Sequence, residues 1–281
     1  MTKKASFPVA TAAPIAIHID GDAGGVGKSL LGVTIAQAFG LVDYALQIFE
    51  LDDQAKLARF LGSTSVTALH GASASRDAYG EQDTALKFEP YHNALVGMAN
   101  GSPSVLLEIG GSLTGLANDF VREVDLEEDL GALGLTLIVF LVVVASEESV
   151  RQVLAQLATL RRILPSAKPI IVLNERNGSP LSSDSQLPTD LVEQLESACG
   201  SVATIRMPKI REKSQRLYES LGQPPAVIAS WHADYYAEAT RRTGLRLFAA
   251  KRFVKDISAW SHVVNKELIR TLPFLGGKSD V

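Results

Sequence analysis

The sequence predicts an α/β chain: a mainly parallel sheet with helices on both faces and a helical C-terminal extension. Three observations carry this. Apolar, β-branched runs recur, among them "PIAIHID" (14–20) and "LTLIVFLVVVA" (135–145), and a strand apolar throughout belongs in a sheet covered on both faces. Segments with helical apolar spacing, such as "SVRQVLAQLATLRRIL" (149–164), lie between the runs. A Gly-rich turn, "GDAGGVGKSL" (21–30), joins the first strand to the first helix, and repeated strand–helix alternation is the pattern of a parallel sheet.

The elements follow in order. Strand 14–20 leads through the turn into a helix, "SLLGVTIAQAFG", closed by Gly40. Strands are expected at 45–52, 104–110, 135–145, 168–175 and 201–208. The helix at 149–164 ends before Pro165, and another at 187–200 starts at Thr189 or Asp190 and stops at Gly200. Residues 62–85 and 176–188, rich in small and polar types, read as loops. From Trp231 the chain is largely free of proline and helical in pattern. Residues 1–13 read as a flexible lead, 14–230 as one nucleotide-binding domain, and 231–281 as helices packed on it.

Of 281 residues, 46% are apolar, enough for a sizeable core, and the net charge is −4. That charge argues against general nucleic-acid binding, but it is unevenly spread. Residues 206–270 hold 13 Lys and Arg against 6 Asp and Glu. A basic C-terminal quarter on an acidic body suggests a local anionic partner, DNA or an acidic protein, at Arg241, Arg242, Arg246, Lys251 and Arg252; solvated helix faces explain the same charges equally well. The one cysteine, Cys199, excludes an internal disulfide framework and fits a cytoplasmic location. The most apolar run, 135–145, is too short for the roughly 20 residues that cross a bilayer. Trp231, Tyr235 and Tyr236 are read as core packing, and the five histidines show no metal spacing.

The turn has the chemistry of a phosphate loop. Gly24, Gly25 and Gly27 let backbone N–H groups, including those of Val26 and Leu30, approach phosphate oxygens. Lys28 supplies a cation, Ser29 a hydroxyl for Mg²⁺, and the following helix its positive end. The usual glycine at the start of such a motif is Asp22 here.

On "AGGVGKS" (23–29) the chain resembles the ParA/MinD family of P-loop ATPases, whose motif reads K-G-G-x-G-K-[ST]. Ala23 stands where that family has its signature lysine, a group that reaches the partner's phosphates in a nucleotide-sandwich dimer. Later segments resemble the family in the same order. "FELDDQAKLARFLG" (49–62) matches the first switch, with Asp52 to orient or deprotonate the attacking water and to assist the metal. "SVLLEIGGSLTG" (104–115) matches the Walker B strand and second switch, with Glu108 at the metal-holding acid where the family usually has Asp. "IIVLNERNG" (170–178) ends in a base-reading Asn174, and "IRMPKIRE" (205–212) contains the adenine-flanking Pro208.

The resemblance implies a SIMIBI-type P-loop fold, ATP and Mg²⁺ as ligands, a nucleotide-dependent homodimer and a switch that positions a macromolecular cargo. Without the signature lysine, the chain looks like the divergent members linked to plasmid stability and conjugative transfer. A nucleotide-binding scaffold with little hydrolysis is the alternative. A metabolic P-loop enzyme ranks last, because no acceptor-binding signature is visible.

Overall fold

The computed structural model describes residues 14–21, 24–69, 85–182 and 185–276. In chain order the elements are β1 (Ile15–Asp20), α1 (Lys28–Leu41), β2 (Leu46–Leu51), α2 (Lys56–Leu61), β3 (Thr67–Ala68), α3 (Glu89–Met98), β4 (Ser104–Ile109), α4 (Thr114–Glu123) and α5 (Leu126–Leu133). They continue with β5 (Thr136–Val143), α6 (Glu147–Ile163), β6 (Lys168–Asn174), α7 (Thr189–Ser201), β7 (Ala203–Met207), α8 (Glu212–Leu221), α9 (Pro225–Ser230), α10 (Ala237–Thr243) and α11 (Leu247–Thr271). The strands form one sheet in the order β3-β2-β4-β1-β5-β6-β7, with every neighbouring pair parallel. The expected fold class is the one observed.

Side chains alternate across a strand, so one continuous apolar run can feed two cores. Along β5, Ile138, Phe140 and Val142 join a cluster with α1, α8, α9 and α11, whereas Leu137, Val139, Leu141 and Val143 join a second cluster with α3 to α7. This explains why 135–145 shows no polar alternation: neither face meets water. The helix α6 is set by its ends. Ser146 accepts from the Ser149 N–H at 3.3 Å, Glu147 and Glu148 occupy the first turn, and Arg161 and Arg162 the last, which complements the helix dipole.

The sequence pattern misjudged several boundaries. Gly40 and Gly200 lie inside α1 and α7, which run on to Leu41 and Ser201; neither takes the positive φ that makes glycine a helix stop. Thr67 and Ala68, within the expected loop 62–85, pair with Phe49 and Glu50 as the edge strand β3; residues 70–84 of that segment lie outside the described residues. The short helices α3, α4, α5, α8 and α9 were not read separately, since six to ten residues give too few turns for a periodic signal. Trp231 is buried and Tyr236 packs half-buried against the core, as expected, but Tyr235 is 68% exposed, in the turn before α10 where both tyrosines take a positive φ.

The extension is dominated by α11. Its Ala250, Phe253, Val254, Ile257, Trp260, Val264 and Leu268 recur at helical spacing and pack in the same cluster as Ile17, Val142 and Ile205 of the sheet. Among the described residues no helix is long and apolar enough to cross a membrane.

Two outcomes follow from this packing. A chain ending at residue 236 loses α11, and with it a large part of the cover of one sheet face, and is expected to lose cooperative unfolding in urea; a sharp transition like that of the full chain would refute this. Second, His18 is buried in β1, hydrogen-bonded to the buried Tyr91 hydroxyl. Burial lowers its pKa from 6.5 to about 4. The unfolded chain therefore binds a proton that the folded chain refuses between these values, and stability is lost as pH falls through that window, by roughly 3 kcal/mol in all. Urea midpoints between pH 7 and pH 4 should fall less steeply in His18→Gln.

Candidate nucleotide site

The first turn of α1 is built for close approach. Its N-cap, Gly27, has φ 101 and no side-chain cap bond, and a Cβ there would sit 2.5 Å from the Asn174 side-chain nitrogen. Only glycine satisfies both the left-handed backbone and that gap. Asn174, at the end of β6, donates to the Val26 carbonyl at 2.7 Å and accepts from the Arg176 N–H at 3.1 Å. The amide offered as a base reader is thus engaged in holding the loop.

The residues expected to form the site line one cavity of about 610 Å³: Gly24 to Leu30, Asp52, Glu108, Asn174 and Pro208. Its volume is within the range of small-molecule sites. Asp22 and Ala23, on which the missing signature lysine turns, lie outside the described residues.

Three carboxylates meet near Lys28. Ser29 donates to Glu108 Oε1 at 2.6 Å, while Glu108 Oε2 is buried with no hydrogen-bond partner among the described residues. Burial pushes the Glu108 pKa up to about 8, helped by Glu50 and Asp52 and opposed by the Ser29 hydroxyl and Lys28. Lys28 is itself buried and donates to the Gly21 carbonyl. Burial lowers its pKa, Glu108, Asp20 and Asp52 resist, and Lys56 adds to the lowering. Asp52 accepts from the Gln54 N–H at 3.0 Å.

The fit to a magnesium ion rests on Glu108 Oε2. A buried, unpartnered carboxylate oxygen beside a serine hydroxyl matches the oxygen-donor chemistry of a hard cation or its bound water. Ser29, Glu108 and Asp52 would hold such an ion.

Sequence reading missed several residues. Asp20, at the end of β1, is buried and accepts from Gly21 N–H, Thr114 Oγ1 and Gln156 Nε2 at 2.7, 2.7 and 2.8 Å. Burial is the largest influence on its pKa and raises it. The network ties the phosphate-loop strand to α4 and α6; an acid closing an apolar strand was the available signal. Glu50, read only as part of the switch pattern, is fully buried and accepts from the Leu57 and Ala58 N–H groups at 2.7 and 3.0 Å. Gly110 meets the end of β2 so closely that its N–H bonds the Leu51 carbonyl at 2.6 Å and a Cβ would lie 2.8 Å from that oxygen. Lys56, Arg59 and Arg176 add cations to the cavity wall.

The basic C-terminal residues lie away from this cavity lining. Arg241 and Arg242 both bond Glu238, whose carboxyl pKa they lower. Arg246 and Arg252 are exposed, and the Lys251 ammonium lies 4.2 Å from the Tyr235 ring centroid.

Gly27→Ala is expected to destabilise by about 1–3 kcal/mol through backbone strain. Since its Cβ meets Asn174, the cost with Asn174→Ala should be smaller than the sum of the two single changes. A double-mutant cycle from urea unfolding measures this; strict additivity would contradict the contact.

No protein-family model matches the chain, and no curated protein matches it. Among solved structures, 131 chains match. One is the MinC:MinD cell division protein complex of Aquifex aeolicus, at 15% identity and a TM-score of 0.44, covering 86% of this chain and 96% of that one.

Proposed function

We propose that the chain binds ATP with Mg²⁺ in this cavity and acts as a ParA/MinD-type switch that positions a macromolecular cargo. The observation that carries the reading is the convergence of Lys28, Ser29 and the unpartnered Glu108 oxygen beneath a glycine loop at the head of α1. Backbone N–H groups from Gly24 to Ser29, with the positive end of α1, suit the phosphates. Lys28 neutralises phosphate charge, and Asp52, at the rim, orients the attacking water. A bound magnesium ion would offset phosphate charge from the side of Ser29, Asp52 and Glu108.

The proposal extends to a nucleotide-dependent homodimer in the cytoplasm and to a plasmid or a conjugation or secretion assembly as cargo. Its anionic partner, DNA or an acidic protein, meets Arg241, Arg242, Arg246, Lys251 and Arg252. The pairing of Arg241 and Arg242 with Glu238 leaves Arg246 and Arg252 as the stronger candidates for that contact.

A second reading, a nucleotide-binding scaffold with little turnover, is favoured by the direct Ser29–Glu108 bond. Calorimetry with Mg²⁺ and ATP, followed by phosphate release, separates the readings. The unsubstituted protein should bind ATP, and Lys28→Ala should weaken binding by at least about tenfold, the loss of a hydrogen bond to a charged group. Release of phosphate that disappears in Lys28→Ala supports the switch; binding without release supports the scaffold; no binding of ATP or ADP rejects both.

A further inference from the structure

Lys56 sits against two local preferences. It opens α2, and the residue before it, Ala55, has φ 46 and ψ 45, a left-handed conformation that a residue with a Cβ adopts only under constraint. A cation in the first turn also faces the positive end of the helix dipole, and α2 has no acidic residue in that turn. The Leu57 and Ala58 amides are already bonded to Glu50, so the helix end itself offers no anion site.

Lys56 lines the cavity, as do Asp52 and Gln54. Among the described residues it makes neither an ion pair nor a side-chain hydrogen bond. It is near enough to Lys28 for the two ammonium groups to repel. Lys28 and Lys56, held at one cavity against that repulsion, suit a polyanion between them.

The sheet order says which part of the polyanion. Asn174 ends β6 and Pro208 follows β7, whereas α2 follows β2, and these lie on opposite sides of β1 and its glycine loop. In the nucleotide reading above, a nucleotide laid across the loop with its base on the β6–β7 side, near Pro208, directs its last phosphate toward α2. Resting on the nucleotide reading above, we propose that Lys56 supplies, from the same chain, a second cation for the terminal phosphate and so distinguishes a triphosphate from a diphosphate.

The test is calorimetry with Mg²⁺-ATP and Mg²⁺-ADP on the full chain, unsubstituted and as Lys56→Ala and Lys56→Arg. Lys56→Ala should weaken ATP by at least about tenfold, the loss of one charge-assisted contact, while ADP changes by less than about twofold. Lys56→Arg should recover most of the ATP affinity. Equal losses for both nucleotides would assign Lys56 a purely structural role and overturn the proposal, as would unchanged ATP binding in Lys56→Ala. If the unsubstituted protein binds neither nucleotide, the nucleotide reading falls and takes this one with it; if it binds both and only the Lys56 prediction fails, the phosphate-loop reading stands alone.

Discussion

Glu108 is fully buried, between Ile19 of β1 and Glu50 of β2 in the sheet register, and its carboxyl group accepts from the Ser29 hydroxyl. Most of the site's electrostatics depends on this one buried acid. Two glutamates directly opposite each other in a sheet repel if both are ionised. Glu50 has backbone amides of α2 to satisfy it; Glu108 has one hydroxyl and a nearby ammonium, and burial holds its pKa near 8. Burial disfavours the charged carboxylate, and a cation placed beside its second oxygen would favour it. The charge state at the base of the cavity is coupled to what the cavity holds.

That coupling exists because the sheet excludes water from both faces. Residues along β1, β4 and β5 feed one core or the other, so polar groups find tolerance chiefly at the carboxyl ends of the strands. Asp20, Glu50, Glu108 and Asn174 all lie at or next to those ends, and each is held by a specific donor or acceptor. An open parallel sheet binds ligands in that same place. Asp20 extends the arrangement outward. By bonding Thr114 and Gln156 it links the strand before the loop to α4 and α6, on the opposite face from α1.

Much of the fold was legible in the sequence, because continuous β-branched runs have few alternatives to a two-faced parallel sheet. The edge strand β3 was not legible: two exposed residues paired with β2 carry no periodic signal. Gly40 and Gly200 misled because glycine marks a helix end only where φ is positive, and tertiary packing carried both helices past them. At the site, the sequence grouped Gly24 to Ser29, Asp52 and Glu108, and the structure brings these residues to one cavity. Asp20 and Lys56 were not, because an acid after an apolar strand or a lysine in a short helix is common and acquires meaning only from what surrounds it.

The order of residues alone determined the class of sheet, the position of the glycine loop between β1 and α1 and the types of charged group near it, since these follow from local pattern and side-chain chemistry. Tertiary structure decided which carboxylate lost its water, which cation faced the cavity and which amide was spent on holding the loop. Those outcomes depend on burial and on contacts between residues far apart in the chain, such as Asn174 with Val26, 148 positions away, and no local pattern carries them.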